Sequence, residues 1–360
     1  MKSISRVLHR VFVLAVFVLY SNAELWARAG GGGGRASHDS GGGGGGGGLS
    51  FLIYLLLSHP LIALIVIIAV AAYFFYKKKN PADLFNSGGS DEDRRLANLT
   101  SGPFPEGLDV QKVQTSFMGI QDAWQKKDLK EVRRWISDGV YQRYTAQFRM
   151  MNKLSQINKL SNIKVSDIRL ARTTADGNYQ SADVAVSFSM DDSFVSDKYP
   201  QFNENFSGDS DTEYWTFIKR NDARKNQDLY STDNCPNCGA PFDTKMGEIS
   251  RCAGCGTLTN NASYDWVLSE ITQMDDYRGD DLMTQNAQLR ELTKNDSLFA
   301  VQRMQDIASN VFMQIMEVFT GANQNKLSRF ADKNTSEKIL QIKAKSEGFI
   351  FDRLYLTRLH

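Results

Sequence analysis

The chain has 360 residues, a formal net charge of +1, 42% hydrophobic content and four Cys. At about 100–200 residues per domain this allows two or three folded units, and it rules out a disulfide-stapled miniprotein. Two glycine runs, Gly30–Gly34 and Gly41–Gly48, hold 13 of the 28 glycines; the ordinary composition elsewhere rules out a collagen or a wholly disordered chain.

The near-zero charge is a cancellation. Residues 94–172 carry 15 basic against 7 acidic side chains, and residues 173–296 carry 10 against 22. The four His stand at positions 9, 38, 59 and 360, outside the candidate globular core. A histidine base or histidine metal ligand in that core is therefore excluded.

Residues 1–29 read as a secretory signal. Lys2, Arg6 and Arg10 precede the apolar run Val11 to Tyr20, and small-residue stops follow at Ser21-Asn22-Ala23 and Ala27-Arg28-Ala29. An uncleaved short anchor is the competing assignment. The Gly-rich stretch 30–48 cannot bury enough apolar surface to fold, so it is expected to be a flexible tether. Leu49–Tyr76 runs without a charge. About 20 apolar residues cross a bilayer core, so this run suffices as a transmembrane helix, with His59-Pro60 kinking its first half. Its aromatic edge, Tyr73 to Tyr76, meets Lys77-Lys78-Lys79. Aromatics favour the headgroup level and lysines next to a span stay inside, which places the rest of the chain in the cytoplasm. Residues 77–107 form a polar linker punctuated by Pro and Gly.

From Asp109 the pattern turns helical. Val110, Val113, Phe117, Ile120 and Trp124 step by three and four, the spacing of one helix face. Lys126-Lys127-Asp128 breaks the run. A second, short helix is expected over Leu129, Val132, Trp135 and Ile136, and a third over Val140, Tyr144, Phe148 and Met151. After Asn162 the period changes to two. Strands are expected over Ile163–Arg172, over Ala182 to Met190, around Trp215 and Phe217, and around Trp266 and Leu268. Helices followed by an antiparallel sheet make an α+β layer. The helical layer holds most of the basic excess. Lys126, Lys127, Lys130, Arg133 and Arg134 are the candidate docking residues for anionic lipid, nucleic acid or an acidic partner; a merely solvated face is the alternative.

All four Cys fall in two CxxC knuckles, Cys235/Cys238 and Cys252/Cys255, with 13 residues between them. Four thiolates at such spacing suit a tetrahedral zinc ion, and the Gly after each pair permits the tight turn. With no open position, such a site is structural. Two disulfides, a redox pair or a rubredoxin-like iron are the competing assignments.

The stretch Glu213-Tyr-Trp-Thr-Phe-Ile-Lys-Arg220, followed by Trp266-Val-Leu-Ser-Glu-Ile271, resembles the C-terminal domain of the mitochondrial Tim44-like proteins. The resemblance covers about residues 108–273, with a zinc ribbon inserted over 221–265. It implies a nuclear transport factor 2-like cone, three N-terminal helices against a curved antiparallel sheet. It also implies tethering of partners at an inner membrane, with an apolar pocket and a lipid-facing helical region. The secretory signal departs from the mitochondrial members and points to a bacterial relative, anchored in the inner membrane. An internal repeat is read as well. Phe117, Met118, Ile120, Trp124, Val132 and Trp135 recur 195 positions on as Phe312, Met313, Ile315, Phe319, Leu327 and Phe330. Residues 297–360 are then a partial second copy, with Phe349–Leu359 as a lone strand available for homo-oligomerisation.

The combined expectation is a membrane-anchored interaction module, transport- or translocation-related, that docks on anionic lipid or a protein partner. A ribosome- or RNA-associated membrane factor is the first alternative. The second is a pocket enzyme of the same fold, with Tyr141, Tyr144, Asp167 and Asp183 as its only candidate groups.

Overall fold

The computed structural model describes residues 102–345, apart from 225–226, 243–245, 247, 275 and 280–285, and a two-residue antiparallel ladder between Leu25–Trp26 and Gly33–Gly34. Apart from that ladder, the segments read as signal, tether and membrane span lie outside the described residues. So do most of the linker and Phe349–Leu359. No helix among the described residues is long and apolar enough to cross a membrane.

The first helix, α1 (Val110–Lys126), starts at Asp109, whose carboxylate accepts the Lys112 N–H at 2.7 Å. This cap satisfies a donor that the first turn leaves open. Of its stripe, Val113, Phe117, Ile120 and Trp124 are buried as the spacing requires, whereas Val110, in the first turn, stays 45% exposed. Lys127 ends the helix in the left-handed region (φ 51°), which turns its N–H back to Trp124 O at 3.1 Å.

The short helix expected over Leu129–Ile136 is absent; this segment is a run of turns. Its apolar residues are buried as expected, but the backbone is drawn away into the sheet. Ile136 forms a parallel bridge with Leu268, Leu268 N–H donates to Trp135 O and Ser137 N–H to Leu268 O. Groups committed to a strand edge cannot also close helical turns. Among the described residues, two helices, not three, therefore precede the sheet. The second, α2 (Asp138–Lys153), is capped by Ser137 Oγ, which accepts the Val140 N–H at 3.1 Å.

Four antiparallel strands follow in the order β1 (Gln156–Asp176), β2 (Tyr179–Ser196), β3 (Glu204–Arg220) and β4 (Val267–Gln273). The inserted segment with the four Cys separates β3 from β4. Phe117 from α1 meets Phe188 of β2 (ring centroids 4.8 Å) and Trp215 of β3 (5.5 Å), so the apolar faces of both layers close on one core. The strands run well past the expected bounds. β1 begins at Gln156 because its first inward residues, Gln156 and Asn158, are polar yet buried. Asn158 accepts from Trp124 Nε1 at 2.7 Å and donates to Asp192, which satisfies the amide inside the core.

Residues 103–108 belong to the domain rather than to a linker. Phe104 packs on the core, Leu108 is buried, and Trp266 Nε1 donates to Glu106 O at 3.1 Å.

Beyond the sheet come α3 (Ala287–Asn295), α4 (Val301–Phe319), a 3₁₀ turn (Gln324–Arg329) and α5 (Lys333–Lys345). Helix α4 packs on α2, and the two exchange N-terminal caps with the rest of the domain. Asp176, at the end of β1, accepts the Val301 and Gln302 N–H groups at 2.7 and 2.9 Å. Asp306 of α4 accepts the Gly139 N–H (3.0 Å) and the Ser137 hydroxyl. A Cβ at Gly139 would collide with Asp306, so the approach requires glycine there. The matched stripe of the internal repeat packs differently in its two occurrences: Phe117 is fully buried, whereas Phe312 stays 37% exposed and α4 buries Met313, Glu317 and Val318 instead.

Candidate metal centre

The segment between β3 and β4 folds as two matching knuckles. In the first, Cys235 N–H donates to Ala240 O (2.7 Å) and Gly239 N–H to Cys235 O (2.8 Å). In the second, Cys252 N–H donates to Thr257 O (2.9 Å) and Gly256 N–H to Cys252 O (2.8 Å). Gly239 and Gly256 take φ of +74° and +73°, which an L side chain tolerates poorly. Bridges Asn234↔Pro241 and Arg251↔Leu258 close the base of each loop.

The knuckles bring all four Sγ atoms within 4.8 Å of one another, and this group could hold a metal ion. Cys235–Cys255 and Cys238–Cys252 are each 3.8 Å apart, far beyond a bonded S–S distance of about 2.05 Å. A tetrahedron with metal–sulfur bonds of about 2.3 Å has edges of about 3.8 Å, so the donor set fits one small thiophilic ion. Cys235 and Cys252 are buried, Cys238 and Cys255 exposed. Asn237 Nδ2 donates to Cys255 Sγ at 3.4 Å and holds that thiol down at about 6, while burial pushes Cys235 up to about 12.

Two arginines bolt this module to the domain. Arg133, fully buried, donates to Ile136 O (3.0 Å), to Glu248 O (2.8 Å) and to Asp138, with its guanidinium 4.5 Å from the Tyr141 ring centroid. Arg134 donates to Leu229 O (2.6 Å), pairs with Asp233 (3.3 Å) and lies over Phe242. Tyr230 stacks on Trp135 at 5.0 Å and donates its hydroxyl to Trp266 O. Lys112 of α1 meets the buried Asp265 at 2.7 Å, and Asp265 also accepts the Leu229 N–H.

These contacts correct the reading of the basic face. Arg133 and Arg134 are spent inside the molecule on carbonyls of the inserted module, so neither stands free as a docking residue. Lys126 is exposed and pairs with Asp122 (2.6 Å), and Lys130 pairs with Asp128 (3.1 Å). Lys127 donates to Asn152 Oδ1 and Gln156 O, and burial lowers its pKa. With Leu160 N–H donating to Gln125 Oε1, these contacts gather the ends of α1 and α2 and the start of β1. Lys126, Lys127, Lys130, Lys153 and Lys159 therefore share one end of the domain.

The groups named for a pocket enzyme do not converge. Tyr141 lies under Arg133, and burial drives the Tyr144 hydroxyl well above the usual tyrosine range. Asp167 is paired with Arg169. Asp183 accepts from Arg172, Thr216 Oγ1 and the Tyr277 hydroxyl, a closed set. Sequence reasoning missed the role of Glu213, which is fully buried and accepts from Trp215 Nε1 and Gln273 Nε2, both at 2.9 Å. Two positions apart on one strand means one face, so the E-x-W spacing itself carried that signal.

A family model for the Tim44-like domain matches residues 109–231. Neither a curated protein nor a solved structure matches the chain. The four Cys and helices α3 to α5 lie beyond the matched residues.

Proposed function

We propose that this chain, which carries a Tim44-like domain over residues 109–231, is a membrane-anchored, non-enzymatic tether that serves translocation or transport. The observation that carries the reading is the position of that domain. It follows an uncharged 28-residue run, Leu49–Tyr76, bounded by three lysines. An apolar stretch of that length spans a bilayer, and lysines beside it mark the inner side. The domain then works in the cytoplasm at a bacterial inner membrane, with its helices and sheet forming the cone implied by the family resemblance. The four Cys hold zinc, which they saturate, so its role is to fold the inserted module rather than to present an open site to substrate. The lysine cluster around Lys126, Lys127 and Lys130 faces anionic headgroups or an acidic protein surface, and tethering makes that encounter intramolecular.

The test is a photo-crosslinking residue at position 130 of the full chain in intact membranes. Phospholipid or protein adducts are expected, lost when the probe is moved to α5. Adducts to RNA would overturn the reading in favour of a ribosome-associated factor. Adducts formed only from outside the cell would overturn the orientation.

A further inference from the structure

Between the inserted module and helix α4 lies a cleft of about 310 Å³, partly open to solvent. Its floor is Tyr179 and Ile218, both buried at the end of the sheet. Its rim carries three aliphatic side chains that stay exposed: Leu258 from the module (37% exposed), Leu298 before α4 (43%) and Ile307 of α4 (40%). Single exposed aliphatics are ordinary on protein surfaces. Three meeting at one concavity from two separate elements are the pattern of an interaction site.

The charges in the cleft are unequal in what they have left to give. Asp138 is held by Arg133 and by Asn260 Nδ2 at 2.9 Å. Asp306 is engaged by the Ser137 hydroxyl and the Gly139 N–H, and burial pushes its pKa up to about 7. Arg220 is paired with Asp222 at 2.6 Å. Arg303 donates only to the Leu298 carbonyl, at 3.0 Å, and meets no carboxylate among the described residues. Among the described residues, the one unmet charge of the cleft is therefore positive, and it stands beside the aliphatic rim.

We infer that this cleft is a docking groove for an acidic, leucine-rich peptide segment of a protein partner, with an acidic side chain on Arg303 and aliphatic side chains against Leu258, Leu298 and Ile307. Arginine offers a planar fork that matches a carboxylate, and the volume, at the low end of the ligand-pocket range of about 300–1,000 Å³, suits side chains of a peptide more than a large cofactor. The groove goes beyond the lysine cluster. It sits at the start of α2, and the cluster at its other end; the 16 residues of that helix span about 24 Å. Loss of one does not entail loss of the other.

The experiment is fluorescence anisotropy with the full chain in detergent and three fluorescein-labelled six-residue probes. The first alternates glutamate and leucine pairs, the second replaces its glutamates by lysine, and the third replaces its leucines by serine. The first probe is expected to bind, and the other two at least about tenfold more weakly. Arg303→Glu, at a half-buried position, is expected to cost the first probe at least about tenfold, and Ile307→Asp the same; Lys338→Glu on α5 should change nothing. Retained metal content in each variant separates loss of the groove from loss of the fold. The inference is overturned if the glutamate probe fails to bind at about 1 mM, if the lysine probe binds equally well, or if folded Arg303→Glu and Ile307→Asp bind as the parent does.

Discussion

Replacing Cys252 by Ser is expected to strip the metal from the inserted module and to cost the domain about 3–5 kcal/mol of stability. The module has little core of its own; its buried side chains Leu229, Tyr230 and Tyr264 belong to the cluster of the main domain. Cys252 is itself buried, and four sulfurs held within 4.8 Å have no reason to stay together as thiolates without a cation between them. When the knuckles open, Glu248 O leaves Arg133, and Leu229 O leaves Arg134. The damage therefore reaches the turn between α1 and α2. Urea unfolding followed by tryptophan fluorescence measures this directly. The Ser variant and the parent treated with a strong chelator should unfold at the same lowered midpoint. A variant within about 0.5 kcal/mol of the untreated parent would mean the module is not a metal-held part of the fold.

Arg133→Ala is the second large effect expected, again about 3–5 kcal/mol, because it leaves buried acceptors without their donor. The side chain serves two carbonyls and a carboxylate at once while lying over Tyr141. Lysine offers a point charge in place of that planar fork, so Arg133→Lys should recover little of the loss. Lys130→Ala, an exposed change only a few residues away, should cost under about 0.5 kcal/mol. Equal, small losses for Arg133→Ala and Lys130→Ala in the same unfolding assay would contradict the buried position of Arg133.

The contrast between these neighbours shows how far the sequence could be read. Spacing distinguished the helical stripe of α1, from Val113 to Trp124, and the alternation of β2, because both are apolar on one face and obey one period. It also set out the four sulfurs, since two CxxC pairs admit few geometries. It failed where burial is polar. Gln156 and Asn158 both turn inward at the start of β1, Asn158 held by Trp124 and Asp192, so this stretch carried no apolar alternation. The acidic half of β3, from Glu204 to Thr212, likewise offered no apolar alternation. Leu129–Ile136 had the content of a helix, yet its backbone pairs with β4, a partner more than a hundred residues away. Charge alone could not tell Arg133 from Lys130; only the fold of the inserted module decides which of the two is buried.

The metal content of that module is open to direct measurement. Elemental analysis of the full chain, purified in reducing buffer without chelator, should find about one zinc per chain, with all four thiols shielded from alkylation until a chelator is added. Four freely reactive thiols with no bound metal, or two disulfides in the protein taken straight from cells, would contradict it.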